Sequence, residues 1–174
     1  MTQPCPICEW ISRKEGFIYE DERVVAMLSP IPAVPGHVWV VPRHHAAILE
    51  AVPDFVVGDV FAKLGKITTA VFDSLKPEGT NIIVQNGTGA GQSLPHAIVH
   101  IVPRAQNDGL PLTWKPMQVS DDDLSTLELK IKEETGSIGA FESEPAKPVA
   151  AAEKPKAEEY GPDDYRIRKL RRWV

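Results

Sequence analysis

Between Asn86 and Arg104 a glycine-punctuated loop, Asn86-Gly-Thr-Gly-Ala-Gly-Gln-Ser93, runs directly into the apolar run His96-Ala-Ile-Val-His-Ile-Val102. Side chains of an extended strand alternate between two faces, so His96, Ile98 and His100 share one face while Ala97, Val99 and Ile101 take the other. Gly87, Gly89 and Gly91 allow backbone conformations that turn amides toward an anion, and Asn86, Gln92 and Ser93 add side-chain donors. An anion loop feeding a histidine-bearing strand points to phosphate chemistry. The middle position of the histidine face, Ile98, has no lone pair to offer.

The remaining chain reads as one domain and a tail. The whole chain of 174 residues is 43% apolar, enough for one core. A net charge of −5 argues against a protein that coats nucleic acid over its whole surface. No apolar run reaches the roughly 18 to 20 residues that span a bilayer, and no secretory signal pattern stands at the start, so a cytoplasmic protein is expected. Residues 17–20 and 24–28 flank Asp21-Glu22-Arg23 as a hairpin. Pro30, Pro32, Pro35 and Gly36 form a loop before a strand at 37–41 that Pro42 ends. From Asp54 to Leu75, the residues Val57, Phe61, Leu64, Ile67, Val71 and Leu75 make a helical stripe. Strands follow at 81–85 and 96–102, and Ser120 caps a helix that ends near Gly136. Strands on both sides of one long helix give an α+β class with an antiparallel sheet.

The domain is expected to span 1–140. Residues 141–162, with Pro145, Pro148, Pro155 and Pro162 among Glu, Ala and Lys, read as a flexible linker. Residues 163–174 mix Arg166, Arg168, Lys169, Arg171 and Arg172 with Tyr165, Ile167, Leu170, Trp173 and Val174. Such a tail suits docking through Ile167, Leu170 and Trp173, favoured here over nucleic acid, which it would grip through phosphates and stacking. The only cysteines, Cys5 and Cys8, have a spacing suited to a metal, with a pair of reduced thiols as the alternative.

Taken together, Cys5-Pro-Ile-Cys8, Pro35-Gly36-His37, Pro42-Arg-His-His45, the glycine loop and His96-Ala-Ile98-Val-His100 resemble the histidine-triad (HIT) family over residues 4–135. The resemblance implies a HIT-type α+β domain with one long and one C-terminal helix, which binds a purine nucleotide or an adenylylated small molecule. It places Asn86, Gln92, Ser93 and His100 at the α-phosphate. It implies a structural zinc held by Cys5, Cys8, His45 and His96, leaving His44 solvated. Walls for the base and ribose would come from Ile7, Phe17, Leu28, Ile31 and Val38, and His37 would order its turn. Where many relatives carry a ribose-binding aspartate, this chain has Ser29. The family attacks phosphorus with its middle histidine, the position occupied here by Ile98, so hydrolysis is expected to be impaired or absent, with His100 left as acid or base. A homodimer through the long helix and the strand after the phosphate loop is also implied. The alternative is an interaction protein whose basic aromatic tail engages RNA or an assembly and whose pocket is vestigial.

Overall fold

The computed structural model describes residues 5–145. A single five-stranded antiparallel sheet carries the architecture, in the order β1-β2-β3-β5-β4. The expected hairpin is present as β1, Phe17–Glu20, and β2, Val24–Leu28, with a bulge between Phe17 and Tyr19. Strand β3 covers Val38–Pro42, and β4 covers Gly79–Val84. Strand β5 runs Val99–Arg104, later than expected. His96, Ala97 and Ile98 lie outside it because the Ala97 N–H bonds the Ala46 carbonyl at 2.7 Å and that of His96 bonds Leu94, so neither joins a strand ladder.

Period-two alternation divides the core between the two faces of the sheet. Val24, Ala26, Val38, Val40, Val99 and Ile101 meet the long helix α2, Asp54–Leu75, through Val60, Leu64, Ile67 and Val71. The stripe is therefore rotated from the expected one: Val60 is buried, whereas Phe61 and Leu75 are 44% and 52% exposed. Apolar residues on more than one side of α2 made the buried side ambiguous. On the opposite face Val25, Met27, Trp39, Val41 and Ile98 pack against a short helix α1, Pro6–Arg13, through Ile7 and Ile11. Sequence reasoning assigns no helix here. Pro6 at its first position and Lys14 in a left-handed cap fix its ends.

Because β5 is paired on one side with β3 and on the other with β4, the strand after the glycine loop has no free edge. β4, at the edge of the sheet, has one. Helix α3, Asp121–Glu134, is capped by Ser120 as expected, its Oγ accepting from the Asp123 N–H at 3.2 Å. None of its residues is buried. Glu142, in the expected linker, donates its N–H to Asp54, and Glu144 pairs with Arg23. The rest of the linker, 146–162, and the tail 163–174 lie outside the described residues. No described helix is long and apolar enough to cross a membrane.

Candidate functional site

The sheet face opposite α2 carries two adjoining features. Cys5 caps helix α1 and Cys8 lies in its first turn, which aims both thiols at the segments bearing His45 and His96. Four donor atoms, one from each residue, lie within 4.8 Å of one another. Cys5 Sγ is 3.6 Å from His96 Nδ1, Cys8 Sγ is 3.7 Å from it, and Cys8 Sγ is 3.6 Å from His45 Nδ1. A tetrahedral zinc, with Zn–S about 2.3 Å and Zn–N about 2.05 Å, holds sulfur and nitrogen donors about 3.6 Å apart. The donor set fits.

Its outer contacts fit as well. His96 is fully buried and its Nε2–H donates to the Pro42 carbonyl at 2.9 Å, which leaves the Nδ1 lone pair for a metal. Burial and the neighbouring Cys5 push the Cys8 thiol up to about 11, so without a metal it stays protonated at neutral pH. His44 is exposed beside this group and outside it.

A cavity of about 290 Å³ opens alongside, lined by Ser93, His96, Ile98 and His100 along one chain segment. The shared face of the three positions thus persists, although two of them precede β5. Two turns of the ring hydrogen-bonding pattern fix the tautomers. His37 Nδ1 accepts the Ala33 N–H at 3.1 Å, so its proton sits on Nε2, which donates to His100 Nδ1 at 3.0 Å. His100 must then carry its own proton on Nε2. Burial, and secondarily the charge of His37, lower His100 to about 4, and burial lowers His37. Both rings are neutral at pH 7, and His100 is a hydrogen-bond donor toward any acceptor it meets. His37 does order its turn, through Ala33, but it also sets the tautomer of His100, a link between residues 63 positions apart that local motif reading missed.

Ile98, 7% exposed, belongs to the apolar cluster around Trp39 as well as to the cavity wall. Trp39 stands edge-on to both His37 and His100, at 6.3 and 6.0 Å between ring centres.

Other site residues sit differently. Asn86 does not line the cavity; its amide donates to both Glu50 carboxylate oxygens at 2.8 Å and accepts the Leu49 N–H. Gln92 lines the cavity, yet its Nε2 donates to the carbonyls of Ala47 and Leu94 at 2.6 and 2.9 Å, and its Oε1 accepts the Gly87 N–H at 2.7 Å. Ser29 is buried with its Oγ accepting the Ile31 N–H, and only Ile31 of that pair reaches the cavity. Among the apolar walls expected from the resemblance, Val38 faces α2, because Trp39 takes the cavity side of that strand. Leu28 is 51% exposed and borders a separate groove with Val38. Ile7 and Phe17 pack in the cluster behind Ile98. Leu110 and Leu112, from the irregular segment after β5, are walls that no periodicity signalled.

The HIT domain family model matches residues 12–107. The chain belongs to the HIT family. A crystal structure of a HIT-family protein from Bacillus subtilis superposes with a TM-score of 0.71 at 31% identity, covering 75% of this chain and 96% of that one. A zinc-bound histidine-triad protein from Mycobacterium smegmatis gives a TM-score of 0.58 at 28% identity, covering 78% and 99%. An adenosine 5'-monophosphoramidase of Candida albicans is 28% identical over 126 residues, 70% of this chain and 83% of the relative. The α+β fold and the HIT assignment expected from the motifs both hold, and the four-donor group is a potential metal site within that fold.

Proposed function

We propose that this HIT protein binds a purine nucleotide or an adenylylated small molecule in the 290 Å³ cavity and turns it over slowly or not at all. The observation that carries the reading is the position of Ile98 on the cavity wall between His96 and His100. A phosphorus atom held beside His100 faces a branched alkyl group where relatives in this family form a nucleotidyl-histidine. His100 Nε2–H and Ser93 supply donors to the phosphate, Gln92 and Asn86 shape the loop around it, and Ser29, engaged with the Ile31 N–H, offers the ribose no contact. The name of the Candida relative, a monophosphoramidase, supports an adenylyl ligand.

Zinc is the metal we assign to Cys5, Cys8, His45 and His96, on the sulfur-rich donor set, the 3.6 Å spacings and the zinc-bound relative. Four protein ligands leave it no open position, so it braces the fold and takes no part in bond making. Thiolate ligation suits a reducing, cytoplasmic setting. A homodimer through α2 and the free edge of β4 is in keeping with the exposed Phe61 and Phe72 on that helix.

Equilibrium titration with AMP and GMP tests the binding. Dissociation constants between about 10 μM and 1 mM are expected, and His100→Ala should weaken them about 10- to 100-fold by removing a donor to a charged oxygen. No binding at millimolar nucleotide would refute the reading.

A further inference from the structure

The metal group and the cavity share more than His96. Gln92 stands between them, and its amide is spent on backbone. Nε2 bonds the carbonyl of Ala47, two residues after the ligand His45, and lies 3.3 Å from the carbonyl of the ligand His96 itself. Oε1 accepts from Gly87 at the opposite end of the glycine loop. The backbone of Gln92 also donates to the Gly87 carbonyl at 3.2 Å, so one residue closes the loop from both sides.

Two further backbone bonds, from the Ala90 N–H to Gly87 and from the Gly91 N–H to Thr88, close a short turn within the loop without tying it to the rest of the fold. Gly87 and Gly91 adopt φ of 80° and 88°, conformations that glycine enters and leaves freely. Residues 88–91 are exposed. The ordering of the loop therefore depends on whether Gln92 finds its acceptors, and two of these belong to the segments that carry His45 and His96. A metal bound to both histidines fixes those segments relative to each other. Without it, the links between them at this point among the described residues are the Ala97 N–H to Ala46 carbonyl bond, the His96 Nε2–H to Pro42 carbonyl bond and the contact of the His45 and His96 rings.

We infer that Gln92 is a positioning residue through which occupancy of the Cys5, Cys8, His45 and His96 site orders the 87–93 loop and so raises the affinity of the cavity for its phosphate-bearing ligand. The ligand part of this statement rests on the nucleotide reading above; the ordering of the loop does not. By linkage the effect is reciprocal, so a nucleotide that holds the loop also tightens the metal.

Hydrogen exchange on the full chain, stripped with chelator and then given equimolar zinc, reads the ordering directly. Zinc should slow exchange of the 87–93 amides about tenfold in the natural sequence, the lower part of the usual range for coupled sites. Gln92→Met keeps the side-chain length and removes the amide, and zinc should leave its loop amides unchanged. Cys8→Ser, which loses a metal ligand and keeps Gln92, should likewise show no response. Protection of β2, β3 and β5 in every sample checks that the domain is folded. Loop amides that ignore zinc in the natural sequence, or that respond equally in Gln92→Met, overturn the inference.

AMP titration separates this from the nucleotide reading. AMP affinity should be about tenfold higher with zinc than without in the natural sequence, and the ratio should fall to about one in Gln92→Met. A loop that responds to zinc in a protein that binds no AMP leaves the coupling standing and removes the nucleotide reading. AMP binding that is equal with and without zinc, over an unresponsive loop, does the reverse.

Discussion

Placing a histidine at position 98 separates the roles of wall and nucleophile. Ile98 is 7% exposed and packs with Ile7, Ile11, Trp39 and Val41, so its replacement costs stability before it yields chemistry. Losing a buried Ile side chain forfeits about 1.5 to 3 kcal/mol of transfer energy. The imidazole carbons recover part of that, and the adjoining cavity lets the ring nitrogens turn toward water, which limits the penalty for a buried polar group. A net loss of about 1 to 3 kcal/mol is expected, equivalent to a fall in Tm of roughly 3 to 10 °C for a domain of this size.

The rate should move much further. A nucleophile beside a donor that is already aligned, His100 Nε2–H, is expected to lower the barrier by about 4 kcal/mol or more, or at least a thousandfold in kcat. Single-turnover cleavage of adenosine phosphoramidate by the natural sequence and by Ile98→His, at saturating substrate and equal zinc content, measures the difference. If Ile98→His folds, binds AMP and cleaves no faster, Ile98 is not the reason for weak turnover. A natural sequence that already turns over at the rate of the variant refutes the argument from the other side.

Metal analysis of protein purified without chelator should give about one zinc per chain, and Cys8→Ser should lose it together with several degrees of Tm, because binding free energy at a structural site is folding free energy. Gly36→Ala should destabilise by at least about 1 to 2 kcal/mol in urea melts: φ is +82° there, and the added Cβ would lie 2.3 Å from Leu75 Cδ1. Acid should weaken the fold through His100 and His37. Both titrate lower when folded, so between the ordinary histidine value of about 6.5 and the His100 value of about 4 the unfolded chain binds protons that the native state refuses. Urea midpoints should therefore drop from pH 7.5 to pH 5, and His100→Gln should shrink the drop.

What the sequence disclosed follows from which forces are local. The ends of α2 at Asp54 and Leu75, the hairpin and the Ser120 cap all depend on neighbours a few residues apart, and the structure places them as read. The buried side of α2 depends on what packs against it, and with apolar residues on several sides Val60 could not be told from Phe61. Helix α1 escaped notice because eight residues opened by a proline give little periodicity, and its packing under Trp39 supplies what its length does not.

The candidate site divides in the same way. Cys5 and Cys8 were legible as a pair from residue type and spacing, the HIT resemblance added His45 and His96, and all four converge. The engagement of Asn86 with Glu50 and of Gln92 with Ala47 was not, since an amide side chain advertises capacity for hydrogen bonds without naming its partner. His37 and His100 meet only because β3 pairs with β5, a register that no local pattern encodes.

The central claim is that a phosphate sits beside His100 and faces Ile98. Diffraction from crystals of the full chain grown with millimolar AMP tests it most directly. The account predicts a nucleotide in the cavity, its phosphate oxygens within about 3.2 Å of His100 Nε2 and of Ser93, with the phosphorus in van der Waals contact with Ile98 and no covalent bond to the protein. An empty cavity at saturating AMP, a nucleotide bound elsewhere, or a phosphorus covalently linked to His100 would contradict it.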